Sequence, residues 1–272
     1  MSPDRGRVST NATTRAFPAW TLWVMVTVLL AGCGGSGSGA AAAPTVAPQG
    51  TTTRASTVDV PLDCSNASPC TLGAGTYSTG HDPESFIPGM TLTLPGGWSS
   101  HSLIAQEFSL IPPNHPDDRL FFWEDMVIVK SSGAGHGTTI LTEVHTTAKA
   151  VIRSLTANPD FHVVSPPKVV TSVDGVSASR LVLDVSRTAR YGDSTCPFNP
   201  RCADLFARPD NLGEYFSIGG KEQVRIDVAT IRIDGKAHTL FIVLDAPAGR
   251  AALRRLTAMA QPILDTVRLS IR

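Results

Sequence analysis

The unbroken stretch VRIDVATIRI-DGK-AHTLFIVL, residues 224–244, decides the fold. Two β-prone runs flank Asp234-Gly235, and a type I′ turn demands positive φ at both central residues, which Asp and Gly accept at little cost. The stretch therefore predicts an antiparallel hairpin. Val224, Ile226 and Val228 share one face of its first strand, while Ile231 and Ile233 take the other parity. Either a bulge intervenes or that strand is covered on both sides.

Working outward, the same signal recurs at Asp174-Gly175, between the runs 168–173 and 176–185. Further upstream, Met90-Thr91-Leu92-Thr93-Leu94 alternates and stops at Pro95-Gly96-Gly97, with Trp98 next. That pattern reads as an edge strand and its turn. Residues 107–111 predict a short strand closed by Pro112-Pro113, and residues 120–130 a longer one carrying Phe121, Phe122 and Trp123. Val144, Ala148, Val151, Ile152 and Leu155 form the stripe of an amphipathic helix that Asn158-Pro159 ends. A C-terminal helix is marked by Leu253, Leu256, Ala260, Ile263, Leu264 and Val267, with Pro262 expected to kink or divide it. A last short strand, 268–271, is expected to close the sheet. Strand runs joined by hairpins and interrupted by two helices give an α+β fold, a mainly antiparallel sheet with two packed helices.

The order of these features resembles the PsbP-like fold. The resemblance is carried by Gly97-Trp98 ending the first strand, a helix after an aromatic strand, and Val173-Asp174-Gly175 leading into Arg180-Leu181-Val182-Leu183. A second hairpin and a closing helix around Ile263-Leu264 complete it. It covers roughly residues 85–272, and it implies a fold found in bacterial lipoproteins of mostly unassigned function. It brings no catalytic residue, and the insertion from Cys196 to Cys202 departs from the simple pattern.

The other end of the chain carries a second signal. Leu30-Ala31-Gly32-Cys33 is similar to a bacterial lipobox, in which the cysteine sulfur receives a diacylglyceryl group. The apolar run before it, residues 19–31, is too short for a helix crossing ~30 Å of hydrocarbon, which needs ~20 residues. Arg5, Arg7 and Arg15 against Asp4 make the preceding segment basic, as in a signal peptide. Residues 1–32 are thus read as a lipoprotein signal peptide. Residues 33–57 follow as the lipidated cysteine and a disordered Gly/Ser/Ala/Pro linker, and 58–272 as a single α+β domain. The two acyl chains would anchor the protein on the extracytoplasmic face of a bacterial cell membrane. Removing three arginines and one aspartate takes 23 basic and 23 acidic residues to 20 and 22, a net charge of −2 with no basic block. Nucleic acid is therefore not an expected partner.

Four cysteines remain, Cys64 with Cys70 and Cys196 with Cys202, each pair separated by five residues. An even set in an oxidising compartment reads as disulfides, and of the three possible pairings the two local ones are favoured, because both intervals are rich in turn formers. A zinc site of four thiolates is the rival. Its knuckles usually have two to four intervening residues, and free thiolates are disfavoured outside the cytosol.

Candidate chemistry is sparse, and no catalytic residue, cofactor or metal site is expected. Gly175-Val176-Ser177-Ala178-Ser179 begins like a nucleophile elbow but lacks the closing glycine and sits on a hairpin. His136, Glu143 and His145 do not converge on a metal by spacing, so they read as solvated polar residues. Glu124 and Asp125 are adjacent on a strand, where neighbours point to opposite faces and cannot flank one bond, so they read as a turn or edge position. What stands out is the long segment 187–223, with no clear element and with Tyr191, Phe198, Arg201, Phe206, Tyr215 and Phe216 in it. It reads either as part of a recognition loop or as a lid packing its aromatics on the sheet. The function expected from the whole is a non-enzymatic, membrane-tethered domain binding a small apolar ligand or another envelope protein. The alternative is an envelope hydrolase whose catalytic set assembles only in three dimensions.

Overall fold

Residues 57–60, 69–80, 89–104, 107–131, 139–144, 147–189, 201–209, 212 and 215–270 are those that the computed structural model of the chain describes. In chain order the first strands are β1 (Thr57–Asp59), β2 (Cys70–Thr71), β3 (Gly75–Ser78), β4 (Thr91–Leu94), β5 (Ser99–Ile104), β6 (Glu107–Ile111), β7 (Arg119–Glu124), β8 (Val127–Ser131) and β9 (Thr139–Val144). Helix α1 (Ala148–Ala157) separates these from β10 (Phe161–Thr171), β11 (Ser177–Val185), β12 (Cys202–Ala207), β13 (Tyr215–Gly219), β14 (Gln223–Ile233) and β15 (Lys236–Ala246), and helix α2 (Arg250–Leu264) follows. The fold is α+β, as the hairpin pattern predicts. Among the described residues no helix is long and apolar enough to cross a membrane.

The organising element is an eight-stranded sheet in the order β10-β11-β14-β15-β7-β6-β5-β2, antiparallel at every pairing. At its centre β14 and β15 pair without a register shift from Gln223↔Ala246 to Ile233↔Lys236. No bulge interrupts the hairpin; its first strand is covered on both sides. Even-numbered Val224, Ile226 and Val228 join Phe121, Trp123, Phe241 and Val243 in one buried cluster, against Val151, Ile152 and Leu155 of α1 and Leu205 and Phe206 of β12. Odd-numbered Ala229 and Ile231 face the other way, with Phe122, Leu240 and Ile242, against Leu253, Leu256 and Ile263 of α2 and Leu92 and Leu94 of β4. Each large side chain buried this way stabilises by about 1.5–3 kcal/mol. Strict alternation therefore feeds two cores, one per face. A three-stranded sheet, β1-β3-β4, contributes to the α2 side, and a four-stranded sheet, β13-β12-β8-β9, to the α1 side.

Both Asp-Gly turns have positive φ at both residues, 51° and 73° at Asp174 and Gly175, and 48° and 76° at Asp234 and Gly235. Elsewhere the sequence reading needs correction. The run 120–130 is not one strand. Asp125 adopts φ 49° and turns the chain out of the large sheet after β7, so that β8 begins in the four-stranded sheet. Val144 ends β9 rather than opening the helix, which starts after the N-cap Thr147, whose hydroxyl accepts from the Ala150 amide. Pro262 does not divide α2, which runs on to Leu264. In place of the closing strand there is a single antiparallel bridge between Arg268 and Thr91. Pro166 and Pro167 lie inside β10 because that strand is the sheet's edge, where a missing donor costs no ladder bond, and the register shifts around them.

Candidate functional site

The edge of the large sheet opens into a cleft of about 490 Å³ lined by His162, Asp184, Val185, Ser186, Arg187, Arg201, Gly220 and Lys221. Three structural devices converge there. His162 on β10 lies opposite Asp184 on β11, its Nδ1 3.0 Å from Asp184 Oδ1. Ser186 and Arg187 continue beyond the end of β11, with the Ser186 amide donating to Asp160 O at 2.8 Å. The third device is the tight connection from β13 to β14. Gly220 takes φ 49°, its amide donates to Arg201 O at 2.8 Å, and Glu222 Oε2 accepts from the Gly219 amide at 2.8 Å. These bonds place Arg201 and Lys221 on one rim.

The lining is electropositive. Among the described residues Arg187, Arg201 and Lys221 supply three cations and Asp184 one carboxylate. Such a surface attracts anions, and the attraction weakens with salt unless the groups are desolvated. His162, Asp184 and Ser186 also supply the residue types of a hydrolase. Yet the Ser186 hydroxyl is shared with Thr188 Oγ1 at 2.9 Å, and the His162 side chain is 67% exposed, so the cleft does not hold them as a dry catalytic set.

Beneath the rim lies a buried acid. Burial pushes the Asp245 carboxyl well above its ordinary value, and a hydrogen bond with Glu222 and that neighbour's charge push the same way, against the pull of Arg119. Arg119, opposite Asp245 on β7, is itself lowered by burial, with the nearby carboxylates of Asp245, Asp117 and Asp118 acting in the other direction.

Of the residues singled out in the sequence, Arg201 lines this cleft. The segment 187–223 is not without structure, since it contains β12 and β13. Phe206, fully buried, and Phe216, partly buried, pack with Phe121, Trp123 and Phe241 through ring contacts of 4.9–5.6 Å. Tyr215 packs on Val127, Val129 and Ala207. These three aromatics therefore pack on the sheets. Cys70 and Cys202 are each disulfide-bonded. Cys33, Cys64, Tyr191, Cys196 and Phe198 lie outside the described residues, as do residues 1–32, the linker to residue 56, His136 and His145. The sequence reading missed His162, Asp184, Arg187 and Lys221, whose only signal is that Arg187 and Lys221 sit near the two ends of the long segment.

A second cluster meets one expectation and overturns another: Asp125 is at a turn, just after β7 ends at Glu124. Glu124 and Asp125 do not point apart. Because Asp125 leaves the pleat, both carboxylates reach His238 Nδ1, at 2.9 Å from Glu124 Oε1 and 2.7 Å from Asp125 Oδ2. The left-handed conformation of Asp125 brings the two neighbouring carboxylates together.

No protein-family model matches the chain, and no curated protein matches it. Among solved structures it is similar to LpqN, described as involved in cell envelope biogenesis of Mycobacterium tuberculosis. The identity is 16%, with a TM-score of 0.37 over 68% of this chain and 84% of that one.

Proposed function

We propose that this chain is an extracytoplasmic bacterial protein, tethered to the membrane by a diacylglyceryl group on Cys33. Its folded part is a PsbP-like domain that binds a small anionic ligand. The observation that carries the binding site is the convergence of Arg187, Arg201 and Lys221 in one cleft beside the His162–Asp184 pair. The lipobox and the paired cysteines support the location. A small apolar ligand suits this lining poorly, because it would displace the water that solvates the exposed Arg187 and Lys221 without replacing its hydrogen bonds. A carboxylate or phosphate group would replace that water with charge-assisted hydrogen bonds to Arg187 and Lys221.

Two measurements test the proposal. Isothermal titration of inorganic phosphate into the mature chain, purified from membranes, is expected to show saturable binding that weakens as sodium chloride is raised. Arg187→Ala and Lys221→Ala should each weaken it about fivefold, the effect of ~1 kcal/mol. Binding that these variants leave untouched would remove the cleft from the account. Cys33→Ala should abolish palmitate labelling and release the protein from the membrane fraction. For the hydrolase alternative, ester turnover lost in Ser186→Ala would replace binding by catalysis.

A further inference from the structure

We propose that Glu124, Asp125 and His238 form a binding site for a divalent transition cation of the zinc type. The site lies at the corner where the chain leaves the large sheet. The Asp125 amide donates to Thr239 O at 2.9 Å, which prolongs the β7–β15 ladder by one bond. Asp125 Oδ1 accepts from the Thr239 amide at 2.7 Å and from Thr239 Oγ1 at 3.0 Å. One carboxylate oxygen is thereby locked to the β15 backbone, and the other is held toward the imidazole. A ligating carboxylate needs this kind of orientation from groups around it.

The donor set selects the ion. His238 Nδ1, a Glu124 carboxylate oxygen and an Asp125 carboxylate oxygen all lie within 4.8 Å of one another. Tetrahedral zinc, with bonds of about 2.0–2.2 Å, sets its ligand atoms roughly 3.4 Å apart, so small side-chain movements admit the ion between them. Two carboxylates and a neutral imidazole carry a charge of −2, which a dication cancels. Calcium and magnesium prefer all-oxygen shells, and an imidazole nitrogen argues for a softer ion. The three side chains are 15–24% exposed, enough for entry from solvent. Three protein ligands leave a fourth position for water, the arrangement of an open rather than a structural zinc site. This cluster shares no residue with the cationic cleft, so the two proposals stand or fall separately.

The test uses the mature chain stripped with a chelator and titrated with zinc chloride, read by equilibrium dialysis. About one equivalent should bind with a dissociation constant of ~10 μM or tighter. His238→Gln and Glu124→Gln should each weaken it at least tenfold, and Thr239→Ala, which removes one of the two bonds on Asp125 Oδ1 and keeps the backbone one, should weaken it less. In the unsubstituted protein, imidazole resonances of His238 should shift before those of any other histidine, a readout independent of whether the variants fold. Zinc binding that is absent, or equal in His238→Gln and the parent, or unaccompanied by that shift, overturns the proposal.

Discussion

The guanidinium of Arg180 meets the carboxylate of Asp227 at two points, Nε to Oδ1 and Nη2 to Oδ2, both at 2.7 Å. The two residues lie directly opposite each other on β11 and β14, on the side of the sheet that α2 covers. Arg225, two residues along the same strand and facing the same way, adds a third cationic contact at 2.6 Å, and the Asp227 side chain is 1% exposed. Burial alone would raise that carboxyl, yet hydrogen bonds from Arg180 and Arg225 hold it below its ordinary value. Asp227→Ala would strand the buried Arg225 and should cost about 3–5 kcal/mol in chemical denaturation. The sign with pH follows from the lowered value: the contribution is fully present above about pH 3.8 and is lost as pH falls through the folded value. Acid unfolding of the parent should therefore steepen below pH 3.8, and a variant with Asp227, Arg180 and Arg225 all made apolar should lack that component.

Asp245 has the opposite sign. Its folded carboxyl is raised by burial and by Glu222, so the native state keeps a proton that the unfolded chain releases near pH 3.8. Stability from this group is complete below that pH and declines as pH rises through the folded value. Asp245→Asn, which cannot ionise, should melt at a higher temperature than the parent at neutral pH, and the gap should close toward pH 3.8. Calorimetry across that range measures it. A variant that melts lower at every pH would mean the Arg119 contact outweighs the burial of charge.

These two networks also show what the sequence makes legible. Parity along residues 224–233 announces either a bulge or a strand covered on both sides, because apolar residues occupy both faces, and the unbroken register decides for the second. Arg225 and Asp227 are invisible to that logic. Polar residues in an apolar strand look like a solvated face until Arg180 is placed opposite. The site is less legible still. The cleft gathers His162, Asp184, Arg187, Arg201 and Lys221 from strand ends that only antiparallel pairing brings together, and no local spacing encodes it. Glu124 and Asp125 mislead for a related reason. The pleat rule holds for extended backbone, and Asp125 at φ 49° has left it.

Gly249 opens α2 with φ 83°, and a Cβ built there would sit 2.7 Å from the carbonyl oxygen of Lys221. Gly235 has φ 76° but open space around it. Gly235→Ala should therefore show only the backbone cost, about 1–2 kcal/mol. Gly249→Ala adds a clash with backbone and should cost more, up to ~3 kcal/mol. Because Lys221 lines the cleft, Gly249→Ala should also weaken phosphate binding while Gly235→Ala leaves it alone. Denaturation curves and titrations on the two variants separate strain from displacement.

The remaining prediction concerns the cysteines. Cys70 starts a two-residue strand pairing with β5 at the far edge of the large sheet, while Cys202 starts β12 and is fully buried. If each closes its own short loop, Cys64 with Cys70 and Cys196 with Cys202, proteolysis without reductant should release two separately linked peptides. Each closed loop is shorter than the 15 residues for which ~3 kcal/mol is expected, so either double Ser variant should lose less than that. The two losses should differ in consequence. Loss of the first bridge frays a sheet edge. Loss of the second frees the chain just before Arg201 and β12, next to the cleft, so Cys196→Ser with Cys202→Ser should weaken phosphate binding as well as stability. A cross-linked peptide joining Cys64 or Cys70 to either of the other two would refute the local pairing outright.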